Sequence, residues 1–411
     1  MTARSDPPSG QSQAMRAAPL VNRTGMLVGV AAGAFLGPFT QTVYTPALGQ
    51  LERYFQVNTL LINLTIALFT AILAVSNFII GPIADRWGRR ATLLPGLVIY
   101  IVGCVLCMAA ESYGLFLAGR AVQAAGISAA LLVAPAVIGD IYTPQERARA
   151  MSTYQTVSFM GPVVGPVLGG AIAYFFPWQW IFALLAVAAT GVLLYNWARL
   201  KETLPPETVP VPISLSMFGN VLRNRSACSI LVVGFSQFYG YYVFLVFLPV
   251  LLHKMLALPE KVFGFFFVPL TLGLLLGVRM GARWQKHWPR TRILNAASFG
   301  MAITVALFWI ALHWQLMNVA ALVLLLSCYG LLLGCSTPVQ STILVNLFQQ
   351  QKGTAVGLYN FARFTGAAIG PVVGGVLVLH YSVNAVFLLL ALLLLGAAVV
   401  IRRYLSDPFD T

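Results

Sequence analysis

The sequence predicts an all-α polytopic membrane protein: twelve transmembrane helices in two six-helix bundles related by a pseudo-two-fold axis. Three observations carry that prediction. Of 411 residues, 59% are hydrophobic and 9% charged, against roughly 25% charged in soluble proteins, and the mean hydropathy is +0.83. Apolar runs of the roughly 20 residues that one membrane crossing needs alternate with short polar loops, leaving no room for a separate soluble domain. The two halves also repeat. Gly165-Pro-Val-Leu-Gly-Gly170 recurs as Gly370-Pro-Val-Val-Gly-Gly375, an offset of 205 residues that also pairs Ala150 with Ala355, Tyr154 with Tyr359, Phe159 with Phe364 and Gly161 with Gly366. An even number of spans per half makes such repeats parallel, with their axis along the membrane normal.

Residues 1–23 are polar, with Pro7, Pro8 and Ser9 and no apolar run of signal-peptide type, so they are expected to form a disordered cytoplasmic tail. The N-terminal bundle covers 24–200, with spans near 25–48, 58–83, 91–110, 114–140, 148–174 and 178–199. A proline-rich cytoplasmic connector follows over 201–226. The C-terminal bundle covers 227–403, with spans near 227–252, 262–284, 291–312, 316–341, 353–379 and 382–403. Residues 404–411 form a short cytoplasmic tail.

The net charge of +14 is explained by its placement. All but five of the 25 Lys and Arg fall on the tails and on alternate loops. Arg53, Lys254 and Lys261 lie on the other side, and Arg120 and Arg363 lie inside spans. The positive-inside rule then puts both termini in the cytoplasm, and no basic surface is left for nucleic acid. The five cysteines sit in apolar runs and read as small buried residues. The Cys104–Cys107 pair has no second pair to complete a metal site. His253, His287, His313 and His380 lie near span ends without ligand spacing, so no metal, cofactor or enzymatic centre is expected. No P-loop is present, so ATP is not the direct energy source.

Between spans two and three runs Gly81-Pro-Ile-Ala-Asp85-Arg86-Trp-Gly88-Arg89-Arg90. Glycines at 81 and 88 permit close approach and a sharp turn. Asp85 can accept hydrogen bonds from a neighbouring helix N-terminus or pair with an arginine, a latch that would join the cytoplasmic ends of the bundles in one state only. Span five carries Gly161-Pro162-x2-Gly165-Pro166-x2-Gly169-Gly170. Glycines at i, i+4 and i+8 make a ridge for close helix packing, and the prolines bend the helix.

Two cations lie at membrane depth, where a charge is costly and faces a cavity or a partner. Arg120 either bonds to helix carbonyls or serves coupling or substrate, and Arg363 either contacts substrate or pairs with neighbouring hydroxyls and carbonyls. Two guanidinium groups favour an anionic or acceptor-rich small-molecule substrate. Gln41, Tyr44, Gln237, Tyr241, Tyr329, Gln340, Tyr154, Tyr359 and Asn360 are candidates to line a largely apolar pocket with a few orienting polar groups, or else to pack between helices. The Phe263–Phe267 cluster reads as lipid-facing or interfacial rather than as a drug-binding plate.

Gly81-x3-Asp85-Arg86-x-Gly88-Arg89-Arg90 resembles the loop signature of the major facilitator superfamily. The second half has a degenerate copy, Gly277-Val-Arg-Met-Gly-Ala-Arg283-Trp284, without the acid. Gly119-Arg120-x2-Gln123-x2-Gly126 resembles that family's span-four motif, and Asp140-x5-Glu146-Arg147 its pattern after span four. The span-five motif is similar to that of the family's antiporters, and within the superfamily the chain looks closest to twelve-span drug:proton antiporters of the chloramphenicol- and bicyclomycin-resistance type. The resemblance implies a monomeric multi-pass protein of the bacterial inner membrane. It implies proton-coupled, alternating-access export of an amphipathic drug or metabolite, with Arg120 facing the cavity. It also implies an acid before the Tyr-x-Pro of span one, where this chain has Thr42. No Asp or Glu lies deep in any span, which motivates the alternative of an importer or uniporter for an organic anion.

Overall fold

The computed structural model describes residues 23–204, 215–256 and 266–407. Twelve long helices follow in order: α1 (Arg23–Thr42), α2 (Thr59–Trp87), α3 (Arg89–Met108), α4 (Tyr113–Ile141), α5 (Pro144–Phe175), α6 (Gln179–Arg199), α7 (Arg225–Leu256), α8 (Phe267–Trp284), α9 (Arg290–His313), α10 (Val319–Leu347), α11 (Lys352–His380) and α12 (Val383–Tyr404). No strand occurs among the described residues. Eleven described helices are long and apolar enough to cross a membrane. α8 falls outside that set, with Arg279 and Arg283 in its last two turns and its expected start at 262 outside the described residues. Residues 1–22, the connector prolines, Phe263–Phe265 and residues 408–411 also lie outside the described residues.

Polar caps set several helix starts. Asn58, Ser112 and Asn318 accept from the backbone N–H groups of Leu61, Leu115 and Ala321, which would otherwise be orphaned at a helix N-terminus. Thr143 and Glu146 form a capping box at the start of α5. Two elements differ from the sequence reading. Span one is not continuous to residue 48: α1 stops at Thr42, and a 3-10 turn (Thr45–Ala47) leads into a short helix, Leu48–Phe55. Pro46 has no N–H to offer the Thr42 carbonyl, and the Thr45 hydroxyl takes its place at 2.8 Å. The connector, expected as polar coil, contains the short helix Leu215–Arg223.

The first six long helices pack on one another around one core and the last six around two smaller ones. The span-five glycines sit inside the first bundle. A Cβ at Gly161 would lie 2.7 Å from the Phe39 nitrogen, and Gly165 and Gly169 likewise press on Thr42 at the end of α1 and on Val43 just beyond it. Gly366, Gly370 and Gly374, at the 205-residue offset, press on α7 in the same way. The two most extensive contacts between the bundles are α2 with α11 and α5 with α8; α4 and α5 also touch α10, and α4 touches α11. The repeat interchanges these pairs, as a pseudo-two-fold axis requires. The described termini and most basic residues lie at one end of the molecule, called here the basic end.

Candidate functional site

One cavity lies between the bundles at mid-depth. α1 contributes Pro38 and Gln41, α4 contributes Leu131, and α5 contributes Tyr154, Gln155, Ser158, Phe159 and Pro162. From the other bundle come Phe238, Tyr241 and Tyr242 of α7 and Asn360, Arg363 and Phe364 of α11. Its volume of about 60 Å³ holds about two waters. A ligand pocket needs roughly 300 Å³ or more, so a substrate fits only when the bundles part.

Arg363 is the charged group of this lining, with 7% of its surface exposed. Its guanidinium stacks 3.8 Å from the centre of the Phe238 ring, a cation–π contact, and Nη1 donates to Asn360 Oδ1 at 3.4 Å. Nε has no partner among the described residues, and neither do Gln41 Nε2 and Gln155 Nε2. Gln41 Oε1 accepts from the Tyr242 hydroxyl at 2.9 Å, and Asn360 donates to Asn77 Oδ1 at 3.1 Å, so both tie one bundle to the other.

The remaining sequence candidates lie elsewhere. Arg120 is fully buried inside the first bundle and is not in the cavity lining. It lies 4.3 Å from each of the ring centres of Tyr44 and Phe69, and Nη1 donates to Gln123 Oε1 at 2.8 Å. Nε and Nη2 are unpartnered among the described residues. Tyr44 bonds to Thr65. Gln237, Gln340 and Tyr359 form a side-chain network with Ser336 inside the second bundle, and the Tyr329 hydroxyl donates to the Gln237 backbone carbonyl; none of Gln237, Tyr329, Gln340 and Tyr359 lines the cavity. Tyr359 also flanks Arg363 at 5.0 Å.

At the basic end the loop residues join the bundles. Asp85, in the last turns of α2, receives four hydrogen bonds. Arg89 Nη1 (2.8 Å) and the Gly353 N–H (2.7 Å) donate to Oδ1, and the Thr354 N–H (2.6 Å) and hydroxyl (2.7 Å) to Oδ2. A carboxylate thus sits on the N-terminus of α11, where orphan N–H groups and the helix dipole favour an anion. Arg89 Nε reaches Asp140 at 3.0 Å, and Lys352 of α11 reaches the other Asp140 oxygen at 2.8 Å. Arg147 donates to Asn346 of α10 at 2.5 Å and to the Gly139 carbonyl at 2.8 Å. Gly81 and Gly353 let the backbones touch: a Cβ on either would lie under 3 Å from the other's carbonyl oxygen. Arg86 is exposed, Arg90 donates to the Trp197 carbonyl, and Glu146 lies 3.6 Å from Arg23; none of these three crosses between the bundles.

Several contributors escaped the sequence reading. Glu202, at the start of the connector, accepts from the backbone N–H groups of Arg89 and Arg90 at 2.7 and 3.0 Å. Gly88, at φ +103°, leaves room for that carboxylate. The 205-residue offset would have found others: it pairs Gln155 with Asn360, Ser158 with Arg363 and Arg147 with Lys352. Asn77, Asn346 and Thr354 carried no signal beyond their polarity.

Known proteins share this sequence and architecture. The family model described as Major Facilitator Superfamily matches residues 30–367 and, again, 307–410. The uncharacterized MFS-type transporter YdgK of Bacillus subtilis is 26% identical over 83% of this chain and 86% of its own length. The multidrug resistance protein MdtL of Escherichia coli is 32% identical over 40% of this chain, a match that spans 42% of MdtL. Two solved structures superpose at a TM-score of 0.77. They are the human organic anion transporter MFSD10, 19% identical over 93% of this chain and all of that one, and the proton:xylose symporter XylE, 16% identical over 94% of this chain and 96% of its own. At those identities the likeness concerns the fold. With a family model that spans most of its length, the chain belongs to the Major Facilitator Superfamily.

Proposed function

We propose that this transporter exports small amphipathic compounds by alternating access. The cavity around Arg363 binds the substrate, and the Asp85 joint acts as the gate on the cytoplasmic side. The observation that carries this reading is the cavity itself, which both bundles line at equivalent positions of the repeat, including Gln155 with Asn360 and Phe159 with Phe364. Rocking the bundles about it would expose the same side chains to either face in turn. The positive-inside rule supports placing the basic end in the cytoplasm. The joint then closes the cytoplasmic side, as expected of a state that loads or releases outside. MdtL, described as a multidrug resistance protein, supports the outward direction. The span-five ridge supports it less, because its glycines pack on α1 and do so equally in the second half.

Cells with and without the protein, loaded with labelled dyes and organic anions at two external pH values, test the direction. Lower retention in the expressing cells is expected for at least one amphipathic probe. Higher retention would replace export with import. Arg363→Gln should abolish the difference at unchanged expression. Arg120→Gln should act by weakening the first bundle rather than by changing which probes are moved.

A further inference from the structure

The cavity has a charge and a hydrogen-bonding polarity, and both point to one kind of ligand. Resting on the reading of this cavity as the substrate site, we propose that it binds an organic monoanion, an aromatic or apolar body with one oxyanion group, and that the membrane potential rather than a proton gradient drives its movement.

The lining contains one full charge, the Arg363 guanidinium, and no Asp, Glu, His or Lys. Its three buried orphan side-chain atoms, Arg363 Nε, Gln41 Nε2 and Gln155 Nε2, are all donors. Unpaired buried donors are costly, and a ligand with several acceptor oxygens would satisfy them together. Carboxylates and sulfonates also match the planar fork of a guanidinium. Apolar walls remain for the ligand body, with Phe159 and Phe364 at equivalent positions of the repeat. A cationic ligand would meet Arg363 with no carboxylate to offset the repulsion.

The same inventory bears on energy coupling. A proton-driven cycle needs a group that gains and loses a proton as the cavity changes sides. Arg363 cannot do so, because a guanidinium stays protonated. Tyr154, Tyr241 and Tyr242 in the lining and Tyr359 beside Arg363 are phenols, neutral at physiological pH. Asp85 and Asp140 are held at the basic end by Arg89, Lys352 and the N-terminus of α11. The charge balance follows. Loaded with a monoanion, the cavity is neutral as it turns outward; emptied, it returns carrying one positive charge. Each cycle moves one negative charge from the basic end to the opposite end. With the basic end in the cytoplasm, an inside-negative potential favours the return of the empty cavity and hence net export.

The test uses the purified full chain in sealed vesicles. One probe is radiolabelled naphthalene-1-sulfonate, which stays an anion at every pH used, and the other is ethidium, a permanent cation. In one arm a potassium–valinomycin potential is imposed at equal pH; in the other a pH gradient is imposed with the potential clamped at zero. The sulfonate should accumulate on the positive side, about tenfold for about 60 mV, and ignore the pH gradient, while ethidium stays put. Arg363→Gln should remove both transport and equilibrium binding of the sulfonate. Should that variant fail to elute as a folded species, Gln155→Leu, which deletes one orphan donor, should weaken binding about tenfold. Sulfonate movement that follows pH at zero potential overturns the coupling, and sulfonate neither bound nor moved overturns the ligand class. Ethidium movement without sulfonate movement overturns the ligand class and leaves the export reading standing. Failure of the export reading shows separately, as higher retention of probes by expressing cells whatever their charge.

Discussion

The two most extensive contacts between the bundles, α2 with α11 and α5 with α8, are copies of one another by sequence repeat, yet they are held by different chemistry. Between α2 and α11, Asp85 receives four hydrogen bonds, two of them from the first N–H groups of α11. Between α5 and α8, the Ser152 hydroxyl donates to the Val278 carbonyl at 2.9 Å, the one hydrogen bond found there among the described residues. The degenerate loop copy places Gly281 where the first copy has Asp85. Its surroundings explain the loss: a Cβ on Gly281 would lie 2.7 Å from the Cys335 carbonyl oxygen of α10, so the position is spent on packing within the second bundle. A two-fold protein can thus hold one of two equivalent joints with an ionic network and the other mainly by packing. Opening the first joint exposes a carboxylate to water and breaks a network; parting α5 from the second bundle gives up the Ser152 bond and the Arg147–Asn346 bond to α10.

The largest expected effect comes from Asp85→Asn. The amide keeps one acceptor oxygen but sets its NH2 against either Arg89 or the N–H groups of α11, and it removes the charge, leaving Asp140 as the one carboxylate on the Arg89 guanidinium. Breaking one side of a buried ion pair costs about 3–5 kcal/mol, read as a fall in thermal midpoint and in steady-state transport. Gly353→Val comes next. Its side chain would be driven toward the Gly81 carbonyl and should hold the basic end open at about 1–3 kcal/mol, with transport lost although every charged partner remains. Lys352→Ala removes the ion pair that binds α11 to Asp140 but leaves Arg89 on that carboxylate. A partial loss, smaller than for Asp85→Asn, is expected in the same assays. Ser152→Ala should be the mildest, at about 1 kcal/mol. A Ser152 effect equal to that of Asp85 would show that the joints share the load and would remove the asymmetry.

Most of the architecture was legible in the chain because a membrane imposes strong rules on it. Span count, the divide at the connector and the repeat all follow from hydropathy and from identities at one offset. Asp85, with two glycines and three arginines around it, could be read as a latch because a carboxylate near a helix end has few other uses. Its actual partners, Gly353 and Thr354, were invisible: backbone N–H groups leave no trace in composition. The cavity was half legible. Gln41, Tyr154, Tyr241, Asn360 and Arg363 line it, whereas Arg120, Gln123, Tyr44, Gln237, Tyr329 and Gln340 lie within single bundles. A polar residue in an apolar run marks depth, and only the helix's rotation decides whether it faces the cavity or a neighbour. Low hydrophobic asymmetry around α4 and α10 left that rotation open, since the second half of each helix is buried on nearly all sides.

If the bundles alternate about the Arg363 cavity with the Asp85 joint as the gate, as proposed above, their basic ends must part. Spin labels at Arg86 and Gln349, both exposed at the basic end and on opposite bundles, report that motion directly. A single short distance is expected in the otherwise unmodified chain, and in Asp85→Asn a second, longer population that carries most of the signal. The same short distance in both proteins, with transport lost in the variant, would contradict that proposal.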